Sequence, residues 1–507
     1  MKEENGDKPM ALHKEHGHRV TPRASLILTA LATCIGGAFQ NGYNISIVNS
    51  PSTSVMTFIN QTWTERYESA ISEELLTLFW SIIVSIFTLG GLVGSWVGGT
   101  LANKYGRKGA LLLNNIFALL AAFFFGISYF SRVFELLIVA RFLTGINAGV
   151  GLCVQFLYLP EMAPRSLRGA LAMTSSISVT LGIVIAEVVG LKEVLGREEW
   201  WPLLLATTAV PAILQLITLP WCPESPRYLL IDRGDETACD KALKQLHSAE
   251  ECLKEKADIE KERLDALQME QKKPWELFLD KSLRWQLLTI VVLNVLSQLS
   301  GINAIYFYAS YVFAEAGIPE QLILYVSLGC GLCEFSSTVI GGVFLVESLG
   351  RKTLMIGGYS LMSLWCLCIT LTLSFAKANS WVPYLSMICV FAFILSFGLG
   401  PGGVTGTLCS EIFTQTVRPA ACMIGLSVNW ICFFIISIIF PFIVSGLKQY
   451  CFLVFFAVSV IVTVYTFFVV PETKNKTFLE IRAEFQSKNK KKRRQRHMAV
   501  SQEVSSG

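Results

Sequence analysis

Three ionisable side chains, Arg141, Glu187 and Glu334, sit well inside long apolar stretches of this 507-residue chain. A charge in hydrocarbon costs at least a few kcal/mol, so each marks a functional position by default. A buried glutamate can carry a proton, and any of the three could instead face a water-filled cavity. Imidazole is missing from these stretches: His13, His16, His18, His247 and His497 all lie in polar sequence. A metal or acid–base centre among the apolar residues would lack its commonest ligand and proton shuttle. No Gly-x-Ser-x-Gly elbow or metal-ligand cluster takes its place, so the chain does not read as an enzyme and no cofactor or metal is expected. Cys330-x-x-Cys333 and Cys366-x-Cys368 imitate ligand spacing but read as small core- or lipid-facing residues. With no cysteine clearly in an outside loop, a disulfide framework is not expected.

The elements that carry these residues are set by composition. The chain is 52% hydrophobic and 16% charged, with mean hydropathy +0.51, where a soluble protein carries about a quarter charged residues. Apolar runs long enough to cross a bilayer, about 20 residues each, cover 24–48, 76–102, 110–130, 134–159, 169–191, 200–221, 285–313, 321–345, 353–375, 382–409, 419–444 and 449–470. The pattern predicts an all-α integral membrane protein with twelve transmembrane helices. Of the 42 Lys and Arg, 35 fall in segments on one side, six on the other, and Arg141 lies within a span. The side rich in cations is the cytoplasmic one, which puts both termini in the cytoplasm. The first run is too long, and too far from the N-terminus, for a cleaved signal peptide. The sequon Asn60-Gln61-Thr62 falls in the longest outside segment, 49–75, and is the expected glycosylation site. Asn475-Lys476-Thr477 and Asn44-Ile45-Ser46 share its pattern in positions where it carries no meaning.

Three charged signatures recur at a near-constant offset of 244 to 250 residues. Gly106-Arg107-Lys108 answers Gly350-Arg351-Lys352. Glu161 and Arg168 answer Glu411 and Arg418, seven residues apart in both cases. Pro223-Glu224-Ser225-Pro226-Arg227 answers Pro471-Glu472-Thr473-Lys474. The division that follows is a tail 1–23, a six-helix bundle 24–221, a linker 222–284 with short helices, a second bundle 285–470 and a basic tail 471–507. Duplicated bundles of this kind rock about a site near the midplane in secondary transporters. Arg107, Glu161, Arg168, Glu224, Arg227, Glu347, Arg351, Glu411, Arg418 and Glu472 are then expected to pair across the two halves when the inner mouth is shut. Anchoring to headgroups would explain the cations, not the acids at fixed spacing.

With Gln298-Leu299-Ser300-Gly301-Ile302-Asn303-Ala304 and Gly400-Pro401-Gly402 added to these motifs, the chain resembles the sugar porter branch of the major facilitator superfamily, specifically its facilitative glucose transporters. The stretches 391–398 and 418–423 resemble the class that includes fructose carriers. The resemblance implies the major facilitator fold, with two pseudo-symmetric six-helix bundles, and energy-independent carriage of a hexose. Sugar recognition needs groups that both donate and accept hydrogen bonds beside an apolar face. The resemblance assigns this work to Gln298, Asn303, Tyr306 and Tyr308 of span seven and to Asn429 and Trp430 of span eleven. Helix-to-helix glue is the competing role for such residues. Several positions depart from the family pattern: Ser176 and Ser297 stand for glutamines, Glu334 for an asparagine, Gly406 for a tryptophan and Phe433 for an asparagine. A wider pocket with fewer amides leans toward fructose or mixed hexose transport. In proton-coupled relatives an aspartate of span one faces the arginine of span four. Here the two positions read Asn44 and Arg141, which favours uniport over proton symport. A sugar-sensing receptor on the same frame is a third alternative. The partners implied are a hexose and membrane lipid, with no nucleic acid and no obligate protein partner, at the cell membrane.

Overall fold

The computed structural model describes residues 23–485 apart from 165–166, 269–273, 281–282, 309–311, 315, 376–378, 380, 414–416, 475, 477–479 and 482, and inside some helices only the backbone. Among the described residues the regular structure is helical throughout. Span one is Ala24–Ser46, followed by Glu73–Tyr105, Arg107–Ser131, Glu135–Met162, Arg168–Val189 and Trp201–Trp221. The second half holds Arg284–Tyr306, Glu320–Ile340, Arg351–Ser374, Val382–Gly406, Arg418–Leu447 and Cys451–Phe468. These are the twelve runs of the sequence, with ends displaced by a few residues.

Apolar side chains such as Trp96, Phe123, Leu203, Leu371 and Phe468 remain exposed along the spans, as a bundle solvated by lipid requires. Inside the first half, polar groups tie helices together. Asn114 and Asn147 each donate to the other's carbonyl at 2.9 and 3.0 Å. Asn115 donates to Gln215 at 2.9 Å. Such bonds hold apolar helices together where hydrophobic burial provides no net drive.

Two features differ from the sequence reading. The segment 49–75 is not a loop, because Ser52–Tyr67 forms a helix with Val55, Phe58, Ile59 and Thr62 buried. Its face repeats every three to four residues, a period easily lost between two longer apolar runs. Asn60 is exposed on this helix, while the Thr62 hydroxyl is turned inward onto the Phe58 carbonyl at 2.8 Å. The linker, in turn, belongs to the first half. Its helix Glu236–Leu246 receives Arg23, which donates to the Lys244 carbonyl at 2.6 Å. Arg227 reaches Glu262 at 2.8 Å on the helix Ala249–Gln268.

Candidate functional site

Span seven is broken. Its first piece, Arg284–Leu299, stops at Ser300, and Ile302–Phe307 restarts after Gly301 at φ +90°. That φ favours glycine, and a Cβ there would also meet the Phe455 ring at 2.6 Å. The break frees backbone groups and turns two amides toward each other: Asn303 Nδ2 donates to Gln298 Oε1 at 2.6 Å. Gln298 is buried and Asn303 half-buried. One turn before Gln298, Asn294 Oδ1 accepts from Asn429 Nδ2 of span eleven at 3.4 Å. Gln298, Asn303 and Asn429 are therefore brought together with Asn294, which the motif reading did not single out. The signal was present, since residues four apart share a helix face.

The remaining candidates lie elsewhere. Trp430 is enclosed between the halves, stacked on Phe433 at 6.2 Å, with Nε1 donating to Ser95 of span two at 2.9 Å. That bond ties the two halves together. Tyr308 donates to the Ser437 carbonyl at 2.8 Å. The Tyr306 carbonyl accepts from Asn49 at the end of span one, and the Tyr306 hydroxyl stands beside Glu334. Ser176 is half-buried on span five. Gly406 faces open space, with no atom within 4 Å of where a Cβ would stand.

Arg141 is fully buried. Its Nη1 donates to the Asn44 carbonyl at 2.8 Å and its Nε to the Ile83 carbonyl at 3.3 Å, with the Phe87 ring centroid 4.6 Å away. Position 44 thus meets the arginine through its backbone. The Asn44 side chain turns away, accepting from the Thr208 hydroxyl at 3.0 Å. Carbonyl oxygens and an aromatic face stand where a carboxylate would be needed for a titrating pair.

At the basic end the repeat of the sequence becomes a repeat of hydrogen bonds. Glu224 accepts from the Arg107 and Lys108 amides at 3.0 and 3.1 Å. Glu472 accepts from the Arg351 and Lys352 amides at 2.9 and 3.1 Å. Each carboxylate caps the positive N-terminus of the third span of its half. Gly106 and Gly350, at φ +85° and +87°, leave room for it. Arg107 pairs with Glu161 at 2.8 Å, and Arg351 with Glu411 at 2.9 Å. Ser225 and Thr473 donate to the free oxygens of Glu161 and Glu411. These pairs lie within each half, not across the halves. The end of span four, the start of span three and the chain after span six converge in one bundle, so the charges meet there first. Arg418 donates to the Phe413 carbonyl at 3.3 Å. The side chains of Arg168 and Glu347 lie outside the described residues.

The described hydrogen bonds that do cross between halves lie elsewhere. Ser95–Trp430 and Trp96–Ser427 join spans two and eleven. Asn49–Tyr306 and Glu193–Tyr325 close the end opposite the basic one. Asn49, Tyr306 and Tyr308 are all buried there. The amide group is shut off on that side.

Twelve spans in two like halves, closed at one end over a polar break between them, define a multi-pass membrane transporter of the major facilitator fold. The profile of the Sugar (and other) transporter family matches residues 29–485, and the chain belongs to that family. It is 46% identical over 470 residues to the human (Homo sapiens) solute carrier family 2 facilitated glucose transporter member 11, covering 93% of this chain and 95% of that one. It is 44% identical over 479 residues to member 5 from Mus musculus, covering 94% and 95%. The proton:xylose symporter XylE bound to 6-bromo-6-deoxy-D-glucose superposes with TM-score 0.74 at 20% identity, over 91% of this chain and 99% of that one. The inward open xylose transporter XylE from E. coli gives 0.74 at 20% identity, over 90% and 99%.

Proposed function

We propose that this protein carries a hexose down its gradient by alternating access, and that the sugar docks on Gln298, Asn303, Asn294 and Asn429. The observation that carries this reading is the break at Gly301. It presents two amides, already paired with each other, at the junction of the halves. Amides donate and accept at once, as a ring of hydroxyls requires. Tyr306, Tyr308 and Trp430 act as closure and contact groups rather than as direct ligands, while Ser176 and Gly406 leave the pocket wide. We place the basic end in the cytoplasm and the chain in the cell membrane, with residues 24–221 and 285–470 as the moving bodies and Asn60 outside. The state described is then open toward the cytoplasm.

Labelled fructose and glucose should equilibrate into liposomes holding the purified protein to the same final level with and without a pH gradient. Binding without counterflow would make it a receptor. Sugar-driven alkalinisation of the bath would make it a symporter, as the proton:xylose symporter XylE is. The carbonyl partners of Arg141 support uniport.

Gly406→Trp fills the open space beside span ten. It is expected to shift the fructose-to-glucose preference by about tenfold, the lower range for a change of pocket shape. Competition uptake checks this, and an unaltered ratio removes Gly406 from the pocket wall.

A further inference from the structure

Two carboxyl groups approach each other across the junction of the halves, at the level of Tyr306. Glu187 of span five and Glu334 of span eight are each 7% exposed. Ser46 donates to Oε1 of Glu187 at 2.6 Å, while Oε2 of Glu187 and Oε2 of Glu334 have no hydrogen-bond partner. The free Glu187 oxygen points at span eight, because a Cβ on Gly331, one turn from Glu334, would lie 3.3 Å from it. Glu334 is near enough for its charge to act on Glu187.

The other titratable groups around them are few. Span seven brings Tyr306 beside Glu334, and span eight brings Cys330 beside both acids, with Cys333 beyond it. On the neighbouring elements, Tyr43 of span one is bonded to Thr207 and Cys389 of span ten stands near Cys368 of span nine. Among the described residues no cation stands beside either acid.

Two carboxylates held near each other at a buried site with no described cation beside them cannot both stay charged. When the halves part at this end, water reaches both and the conflict ends. We propose that shutting the end opposite the basic one takes up a single proton on the Glu187–Glu334 pair, so that acidity on that side favours the shut state. The proton comes from the solution on that side and returns to it on opening, the pair being buried in the shut form. One O–H bond forms and later breaks, and no net proton crosses the membrane. This device rests on the alternating-access reading, yet it leaves the transport uncoupled.

The test reads closure directly. In intact cells, Asn49→Cys places a thiol in the shut contact, and Thr57→Cys on the outer helix serves as an always exposed reference. Labelling by a membrane-impermeant maleimide, taken as the ratio of the two, should fall as outside pH drops from about 8 to about 6. A one-proton closure gives at most about tenfold per pH unit. In Glu334→Gln, and separately in Glu187→Gln, the ratio should become flat. A flat ratio in the carrier with both acids intact overturns the proposal without reliance on any acid variant. Persistence of the slope in both glutamine variants also overturns it. Exchange of sodium for N-methyl-D-glucamine should change nothing, and a sodium dependence would hand the pair to a metal cation and overturn the proton. If sugar exchange fails in liposomes while the labelling slope persists, the transport reading falls and the proton device stands.

Discussion

Gln298→Ala should raise the half-saturation concentration for hexose by about tenfold or more while the protein still reaches the membrane. Gln298 holds two hydrogen-bonding roles at the break. Its Oε1 accepts from Asn303, and its amide nitrogen is left to meet a ligand. Each neutral hydrogen bond contributes about 0.5–1.5 kcal/mol net, and leaving a buried partner unmatched costs about 1–3 kcal/mol. Alanine removes the contact to sugar and leaves the sugar hydroxyl it met unmatched in the pocket, so the combined loss exceeds the 1.4 kcal/mol that separates tenfold steps in affinity. Zero-trans uptake with surface labelling separates affinity from expression. Half-saturation unchanged in the alanine variant would place the sugar elsewhere.

Much of this was legible in the chain itself, for physical reasons that differ from place to place. The twelve spans could be read because lipid demands long apolar runs, which leave the strongest signal a sequence can carry. The helix Ser52–Tyr67 was not, because a half-buried helix at the membrane surface mixes polar and apolar residues at ordinary proportions. Gly301 permits the break, but the meeting of Gln298 with Asn303 follows from a φ that sequence does not print. Trp430 shows the limit most plainly. An indole next to Asn429 reads as a sugar platform, yet adjacent helical residues point about 100° apart, and its ring goes to Ser95 of the other half. Arg141 and position 44 were paired correctly as neighbours, but the contact runs through the backbone, which no side-chain comparison reveals. The charged repeat was read as a latch between halves. That expectation concerned the shut inner mouth; in the form open at the basic end each copy closes on its own half, with Glu224 and Glu472 on the helix starts beside them.

That self-closure leads to the second large effect. Glu472→Ala should lower the stability of the purified carrier and reduce its binding of an inhibitor restricted to the outside. The carboxylate accepts from the amides of Arg351, Lys352 and Thr473, and loss of charged acceptors at a helix start costs about 1–3 kcal/mol. The lower end applies because Glu472 is half exposed and water can replace part of what is lost. Arg351→Ala should act through the same network, leaving Glu411 with only Thr473 among its described partners. The conformational consequence depends on which state needs the network most. In the form open at the basic end the two charged clusters stand in separate halves, each complete. In the alternate form these ends must approach, so a loosened cluster raises the cost of that form alone. Both variants should therefore hold the carrier open toward the basic end, with faster labelling from that side and slower net uptake. Glu224→Ala, its counterpart in the first half, should do the same more weakly. There the ties of Arg107 to Asp232 and of Arg227 to Glu262 still fasten the cluster to the linker. Equal accessibility from both sides in Glu472→Ala, with only stability reduced, would reduce the repeated charges to helix caps.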